Sequence, residues 1–306
     1  MRVPTAGPAV RTADGLTLAT WDLGGEGPPL LFLHPTGFHG RCWAPLAQEL
    51  GVQFHCWALD QRGHGASDRA DDYDWRHFSN DVVAALAVLD LHRPFVVGHS
   101  LGGGIALLTE ALRPGSFRAI YGFEPIVVSA GTFPGAGAGA SGERRSNPMA
   151  DLARRRRPAF ESRAAAIENY SRKPPFAYFR ADVLAAYVHG GFVDAPDGGV
   201  TLSCDTESEA LVFEAASAAG IADLMRPSST PTYLACGSDA PVIGPDQLEH
   251  IAGKLGTSEG APIFTEVFDD LGHLGPYESP LRIARSIQQA FSAPIHAIPS
   301  TVTPSR

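Results

Sequence analysis

The chain has only four cysteines in 306 residues, Cys42, Cys56, Cys204 and Cys236, and no two of them form a Cys-x-x-Cys pair. There is no disulfide framework to read, and a chain this long can bury a sizeable core without one. Cys56 and Cys236 lie in apolar, strand-like runs and read as buried thiols, which favours a reducing, cytoplasmic compartment. No apolar stretch is long enough to cross a bilayer, so no membrane partner is expected. The first eight residues, MRVPTAGP, contain no apolar signal core. Positive charge is scarce: 24 Lys and Arg stand against 33 Asp and Glu, a net charge of −9. That balance offers no basic face to a nucleic acid and argues for solubility rather than a particular partner. His55, His64, His77, His92 and His99 have no ligand spacing with Cys or carboxylates, and His189, His250 and His296 are isolated. No metal and no other cofactor is therefore expected. Homo-oligomerisation is left open.

What is present is an ordinary globular composition, 44% hydrophobic. Asp14-Gly15 sits between two β-prone runs and predicts an opening hairpin. Residues 30–33 (LLFL) form a continuous apolar run, as expected of a strand buried on both faces. Residues 54–59 form the next strand, with helical spacing at 43–50 between the two. A longer amphipathic helix is predicted over 78–91, then a strand at 94–98, a helix from Ser100 to about Leu112 and a strand at 119–123. Strand and helix alternate, which predicts a mostly parallel α/β sheet flanked by helices. The alternation stops after Glu124. Residues 130–148 are rich in Gly, Ala, Ser and Pro and read as a mobile loop, with two readings for 130–142: a gate to the site or a disordered insert. Residues 149–170, 176–188 and 207–224 read as helices of an inserted cap. The pattern resumes with a strand at 232–236, a helix near 246–255, a strand at 263–268 and a helix near 280–291. The expected division is a core of 1–126 and 230–292, a cap of 127–229, and a disordered tail at 293–306.

Ser100 lies in Gly98-His99-Ser100-Leu101-Gly102, directly between a strand and a small-residue helix. Such an arrangement turns a strand sharply into a helix and holds the serine hydroxyl at the end of the sheet. Glycines are required because side chains at 98 and 102 would collide with neighbouring backbone. A serine hydroxyl needs a base to accept its proton, and the base needs a group to orient it. His273, in a glycine-flanked turn after the last predicted strand, is the candidate base.

With these residues in place, the chain resembles the α/β-hydrolase superfamily, which implies a mostly parallel eight-stranded sheet flanked by helices, with an inserted helical cap. Four motifs match in order: His34-Pro35-Thr36-Gly37, Asp60 through Asp68 (DQRGHGASD), the turn at Ser100, and Gly272-His273. The resemblance covers roughly residues 9–126 and 230–292. It implies an oxyanion hole from the backbone N–H groups of Thr36 and Leu101. Proline at 35, where the family usually has glycine, lacks an N–H, but the donor needed is at Thr36. His34, Asp60 and Arg62 are expected to brace loops. Phe38 and His39 are expected at the entrance, with Phe38, His99 and Pro125 as substrate-contacting candidates.

The acid is less regular. The family's usual aspartate position falls on Ala240, and Asp239 comes one residue early. The other position known in the family follows the preceding strand, and here it holds Glu124, 24 residues beyond Ser100. This is similar to the glutamate arrangement of haloalkane dehalogenases and zearalenone-type lactonases. Glu124 is the preferred acid and Asp239 the alternative. A seryl acyl-enzyme acting on an ester or lactone, a small-molecule substrate, is what the resemblance implies. C–C bond hydrolysis, cofactor-free oxygenation and slow-turnover ligand reception remain as alternatives on the same residues. In the cap, Arg154 to Arg157 read as consecutive helical residues on a solvated helix, with a second reading in which one of them reaches the pocket.

Overall fold

The computed structural model describes residues 3–129, 147–196, 198–216, 220–239, 242–256 and 261–292. The loop expected at 130–148 (save its last two residues), the tail at 293–306, and Ala240 with Pro241 lie outside the described residues.

The chain opens with strands β1 (Thr5–Ala6), β2 (Val10–Arg11), β3 (Thr17–Leu18) and β4 (Thr20–Gly25). β2 and β3 pair antiparallel around Asp14-Gly15, as the turn dipeptide predicts. There follow β5 (Pro29–Leu33), α1 (Ala44–Leu50) behind a short 3₁₀ turn, β6 (His55–Leu59), α2 (Trp75–Val88), β7 (Phe95–His99), α3 (Leu101–Leu112) and β8 (Ala119–Phe123). After an inserted segment come β12 (Thr232–Gly237), α9 (Pro245–Leu255), β13 (Ile263–Phe268), α10 (Gly275–Glu278) and α11 (Pro280–Ser292), with labels β9–β11 and α4–α8 belonging to the insert. The main sheet has eight strands in the order β1-β4-β6-β5-β7-β8-β12-β13. β4 runs antiparallel to both of its neighbours, and the pairs from β6 to β13 are parallel.

Side chains alternate across the strands, and the core divides accordingly. Leu30 and Phe32 pack with Trp43 and Leu50 on the α1–α11 side. Leu31 and Leu33 pack with Val82, Ile105 and Leu108 on the α2–α3 side. β5, β7 and β8 are almost entirely buried. This two-sided burial explains why they read as continuous apolar runs rather than as alternating ones. No helix of the described residues is long and apolar enough to cross a membrane.

The insert lies between β8 and β12. It comprises α4 (Pro148–Arg154), β9 (Ala159–Phe160), α5 (Arg163–Ser171), α6 (Ala181–Gly191), β10 (Phe192–Asp194), β11 (Val200–Leu202), α7 (Thr206–Ala215) and α8 (Ile221–Leu224). The three strands form a small antiparallel sheet, β10-β11-β9, that helical spacing does not announce. The single helix expected over 149–170 is broken. Pro158 lacks an N–H and disfavours helical backbone at Arg157. Phe160 then turns inward, its ring 5.7 Å from Phe192 and 5.9 Å from Tyr170. The helix expected over 207–224 is likewise two helices, with Gly220 in the left-handed region at φ 56° before α8.

Candidate active site

β7 ends at His99, and Ser100 caps α3 with φ 53° and ψ −115°, a conformation L-residues rarely adopt. The chain is held there by backbone bonds. Ser100 N–H donates to the Phe123 carbonyl at 3.0 Å, and the Ser100 carbonyl accepts from Gly104 at 3.0 Å and Ile126 at 3.1 Å. The flanking glycines are required sterically. A methyl group on Gly98 would lie 2.4 Å from the Gly102 carbonyl oxygen, and one on Gly102 would lie 2.1 Å from that of Leu33.

The next strand ends in the same manner. Glu124 follows β8 with φ 41°, its N–H donating to the Ala235 carbonyl at 2.7 Å. Its carboxylate is fully buried. Oε1 accepts from the Gly237 N–H at 3.2 Å, and Oε2 from the Ile243 N–H at 3.3 Å. Oε2 also lies 2.7 Å from His273 Nδ1. An ionised carboxylate only accepts, so this contact puts the imidazole proton on Nδ1 and leaves Nε2 as the ring's lone-pair nitrogen. Asp239, one turn away, is exposed. Its N–H is tied to the Leu271 carbonyl at 3.0 Å, and its Oδ1 accepts from Ser238 Oγ at 3.2 Å. Of the two candidate carboxylates, the fold brings Glu124 to the histidine, and Asp239 takes a different partner.

Sequence reasoning passed over a second carboxylate here. Glu278 of α10 accepts the Gly272 N–H through Oε2 at 2.9 Å and so braces the turn that carries His273. Burial pushes its carboxyl above the usual range, and the charge on Glu124 adds to the rise.

Thr36 follows β5 and Leu101 follows Ser100 at the end of β7, and β5 and β7 are paired strands. Leu101 is the first residue of α3, whose first-turn amides have no intrahelical acceptor. Thr36 is in the turn after β5, closed by the Phe38 N–H donating to the Pro35 carbonyl at 3.2 Å. Two buried histidines fix this turn. His34 Nε2 accepts the Gln61 N–H at 2.9 Å, and His64 Nε2 accepts the Gly37 N–H at 3.1 Å while its Nδ1 donates to the Arg62 carbonyl at 2.9 Å. Both rings must be neutral to accept. Burial depresses both, holding His64 at about 4 and His34 well below the usual histidine range. Asp60 takes the Gly40 N–H at 2.6 Å and the Ala66 N–H at 2.8 Å. Arg62 pairs with Asp81 and Asp14. These residues brace loops, as expected.

The expected pocket-lining residues need correction. His39 is fully buried, its Nε2 3.0 Å from the Tyr187 carbonyl and 3.2 Å from Cys42 Sγ, so it packs beneath the insert instead of at an entrance. His99 is fully buried with its ring 4.8 Å from that of His273. Pro125 is buried against Gly103 of α3. Phe38 is nearly covered, stacked 4.8 Å from Tyr277 and tilted 4.9 Å from Tyr187. His99 packs against the His273 ring, Pro125 against α3, and Phe38 joins a cluster of aromatic rings with Tyr187 and Tyr277.

The arginine run is not four helical residues, since α4 ends at Arg154. Arg154 binds Glu207 and Glu214 of α7, Arg155 is exposed, and Arg157 lies over the Phe160 ring. Arg156 alone turns inward, to Glu209, Tyr170 and Tyr187.

Comparisons with known proteins bear on the family and the fold. A family model described as the Alpha/beta hydrolase family matches residues 30–286. The chain belongs to the α/β-hydrolase family. An uncharacterized protein of Mycobacterium tuberculosis is 38% identical to this α/β-hydrolase over 98 residues, 32% of this chain and 28% of that one. A 2-(acetamidomethylene)succinate hydrolase of Mesorhizobium japonicum is 31% identical over 101 residues, 33% of this chain and 36% of that one. The matched stretch spans about a third of each relative's length. The crystal structure of an E-2-(acetamidomethylene)succinate hydrolase superposes with a TM-score of 0.75 at 20% identity, covering 95% of this chain and all of that one. That likeness establishes the shared fold.

Proposed function

We propose that this α/β-hydrolase cleaves a carboxylic ester or lactone through a seryl acyl-enzyme. The observation that carries the reading is the 2.7 Å bond from His273 to the buried Glu124, at the end of the strand next to the one that presents Ser100. Ser100 Oγ attacks the substrate carbonyl carbon while His273 Nε2 takes the hydroxyl proton. The carbonyl oxygen becomes an oxyanion, held by the amides of Thr36 and Leu101. The tetrahedral adduct collapses, and the alkoxide leaves with the proton from His273. Water then attacks the acyl-enzyme, with His273 again accepting and returning the proton, and Ser100 is regenerated. Glu124 stabilises the imidazolium in both halves without itself becoming protonated. The substrate is a small molecule, and the unpaired buried thiols suit a reducing, cytoplasmic setting.

The test is turnover of a panel of p-nitrophenyl esters and lactones, with labelling by a fluorophosphonate. Wild type is expected to turn over at least one ester and to label. Ser100→Ala is expected to lose the label and to slow turnover by about a thousandfold or more while melting normally. Undiminished ester turnover in a folded Ser100→Ala protein would sink the proposal. A diketone added to the same panel distinguishes C–C bond cleavage.

A further inference from the structure

Gly37, one residue beyond the Thr36 amide, meets the insert at close range. With φ 78°, its Cα presents its open side to α7 and the chain after α4. A methyl group there would lie 2.6 Å from Glu209 Oε1 and 3.1 Å from Arg156 Nη1. Glu209 is buried, and Arg156 keeps a fifth of its side chain exposed. The two form an ion pair and hydrogen bond. The other arm of the guanidinium donates to Tyr187 Oη at 2.6 Å and reaches Tyr170 Oη at 3.3 Å. The Tyr187 ring lies 4.9 Å from Phe38. One guanidinium therefore grips two consecutive loop residues, Gly37 through its carboxylate partner and Phe38 through Tyr187. From the core side, His64 holds the Gly37 N–H.

We infer that the Arg156–Glu209 pair is a positioning device of the insert that fixes the Thr36–Gly37 turn, and with it the Thr36 N–H in its donor orientation, so that docking of the insert completes the oxyanion hole. The inference rests on the proposed serine mechanism. Donors stabilise a developing oxyanion only when they are held in place before charge appears, and a shift of a fraction of an ångström weakens them. Arg156 does not serve as a free cation for an anionic substrate. Glu209 neutralises it, and both Nη atoms already have acceptors.

The test compares wild type with Arg156→Lys, Glu209→Gln and a control, Arg154→Lys, which alters a different ion pair across the same α4–α7 contact. Three measurements are made: the rate of fluorophosphonate labelling, kcat and KM on a neutral ester and on the same ester bearing an acyl-side carboxylate, and the melting curve. The expected result is labelling slowed about tenfold in Arg156→Lys and Glu209→Gln, with kcat falling equally for both esters and KM moving less than about threefold. Arg154→Lys is expected to label at the wild-type rate. Arg156→Lys and Glu209→Gln both keep the shape of the side chain but weaken a largely buried ion pair, so melting temperatures are expected to fall by several degrees, and labelling is compared well below the lowest of them. Wild-type labelling rates in both variants would overturn the inference. So would equal slowing in the Arg154→Lys control, or a loss confined to a raised KM for the carboxylate ester, which would make Arg156 an anion reader. If wild type itself does not label, the serine mechanism fails and this inference fails with it. Normal labelling in wild type with no effect of the two variants removes this inference alone.

Discussion

Ser100 and Glu124 are both non-glycine residues at positive φ, each one step past the end of a parallel strand, and the two strands are neighbours. Strain at two adjacent strand ends aims two side chains toward the same edge of the sheet, a use of unfavourable backbone that packing on all sides must sustain. The carboxylate arrives with its lone pairs already engaged by two backbone amides and one ring N–H, so it is held in one orientation. Glu124→Gln keeps the shape but can leave the ring in the wrong tautomer, and kcat should fall about a thousandfold or more. Asp239→Asn, which alters an exposed side chain bonded to Ser238, should change kcat by less than about threefold. Steady-state kinetics on one ester decides between them, and equal small losses would discredit both carboxylates. Much at this scale was legible in the sequence. The glycines at 98 and 102 were required because a methyl group would strike backbone, and the structure shows those overlaps at 2.4 and 2.1 Å. The burial of His39, His99 and Pro125 was not legible, because residues adjacent in sequence to a reacting group can point to either side of a tight turn.

At the scale of elements, Arg62 ties three of them together. Its Nε and Nη2 each donate to Asp81 of α2 at 2.7 Å, and Nη1 donates at 2.9 Å to Asp14 in the β2–β3 turn, with Arg62 and Asp81 both essentially buried. The loop after β6 is thereby fastened to the hairpin and to α2. Arg62→Met leaves the Asp81 carboxylate buried without its cation and should destabilise the fold by about 3–5 kcal/mol; pairing it with Asp81→Leu should restore much of the loss. Urea unfolding of the two variants measures this, and an equal loss in both would contradict it. The elements of the core followed from periodicity because each strand and helix buries a face that its own spacing records. The insert was harder to read. Its three short strands are two or three residues long, too short to show a period, and the helix expected over 149–170 ends where Pro158 enters. The same break decides the arginines: a continuous helix would spread them around its axis, whereas the actual turn sends Arg156 inward and leaves Arg155 and Arg157 exposed.

For the molecule as a whole, the buried neutral histidines couple stability to pH. His64 is held at about 4 in the fold against an ordinary value of 6.5, and His39 likewise. As pH falls below about 6.5 the unfolded chain binds a proton at each of these positions and the folded chain does not, so stability falls with pH. The loss begins near pH 6.5, is complete for each ring near pH 4, and amounts to about 3 kcal/mol for His64 alone. Urea midpoints should therefore drop steadily between pH 7 and pH 4.5, and a flat profile over that range would contradict the assignment. In the folded protein His64 stays neutral until the pH approaches about 4, so the Gly37 N–H bond next to Thr36 should be lost only near that pH, below the range in which stability declines.

The sequence alone determined the alternation of strands and helices, the mostly parallel sheet, the sharp turn at Ser100 and the order of the four motifs. These are properties of local spacing and of glycine at turns, and they need no distant partner. Only the tertiary structure decided which carboxylate meets His273 and which arginine meets the Thr36–Gly37 turn. Glu124 and Asp239 end the neighbouring strands β8 and β12, and both were plausible on spacing. The choice was made by parallel pairing of those strands, which buries Glu124 under the His273 turn, and by the Asp239–Leu271 backbone bond, which leaves the Asp239 side chain in water. Contacts between segments 149 residues apart, as in the Glu124–His273 bond, depend on how sheets and loops close in space, and no local pattern records them.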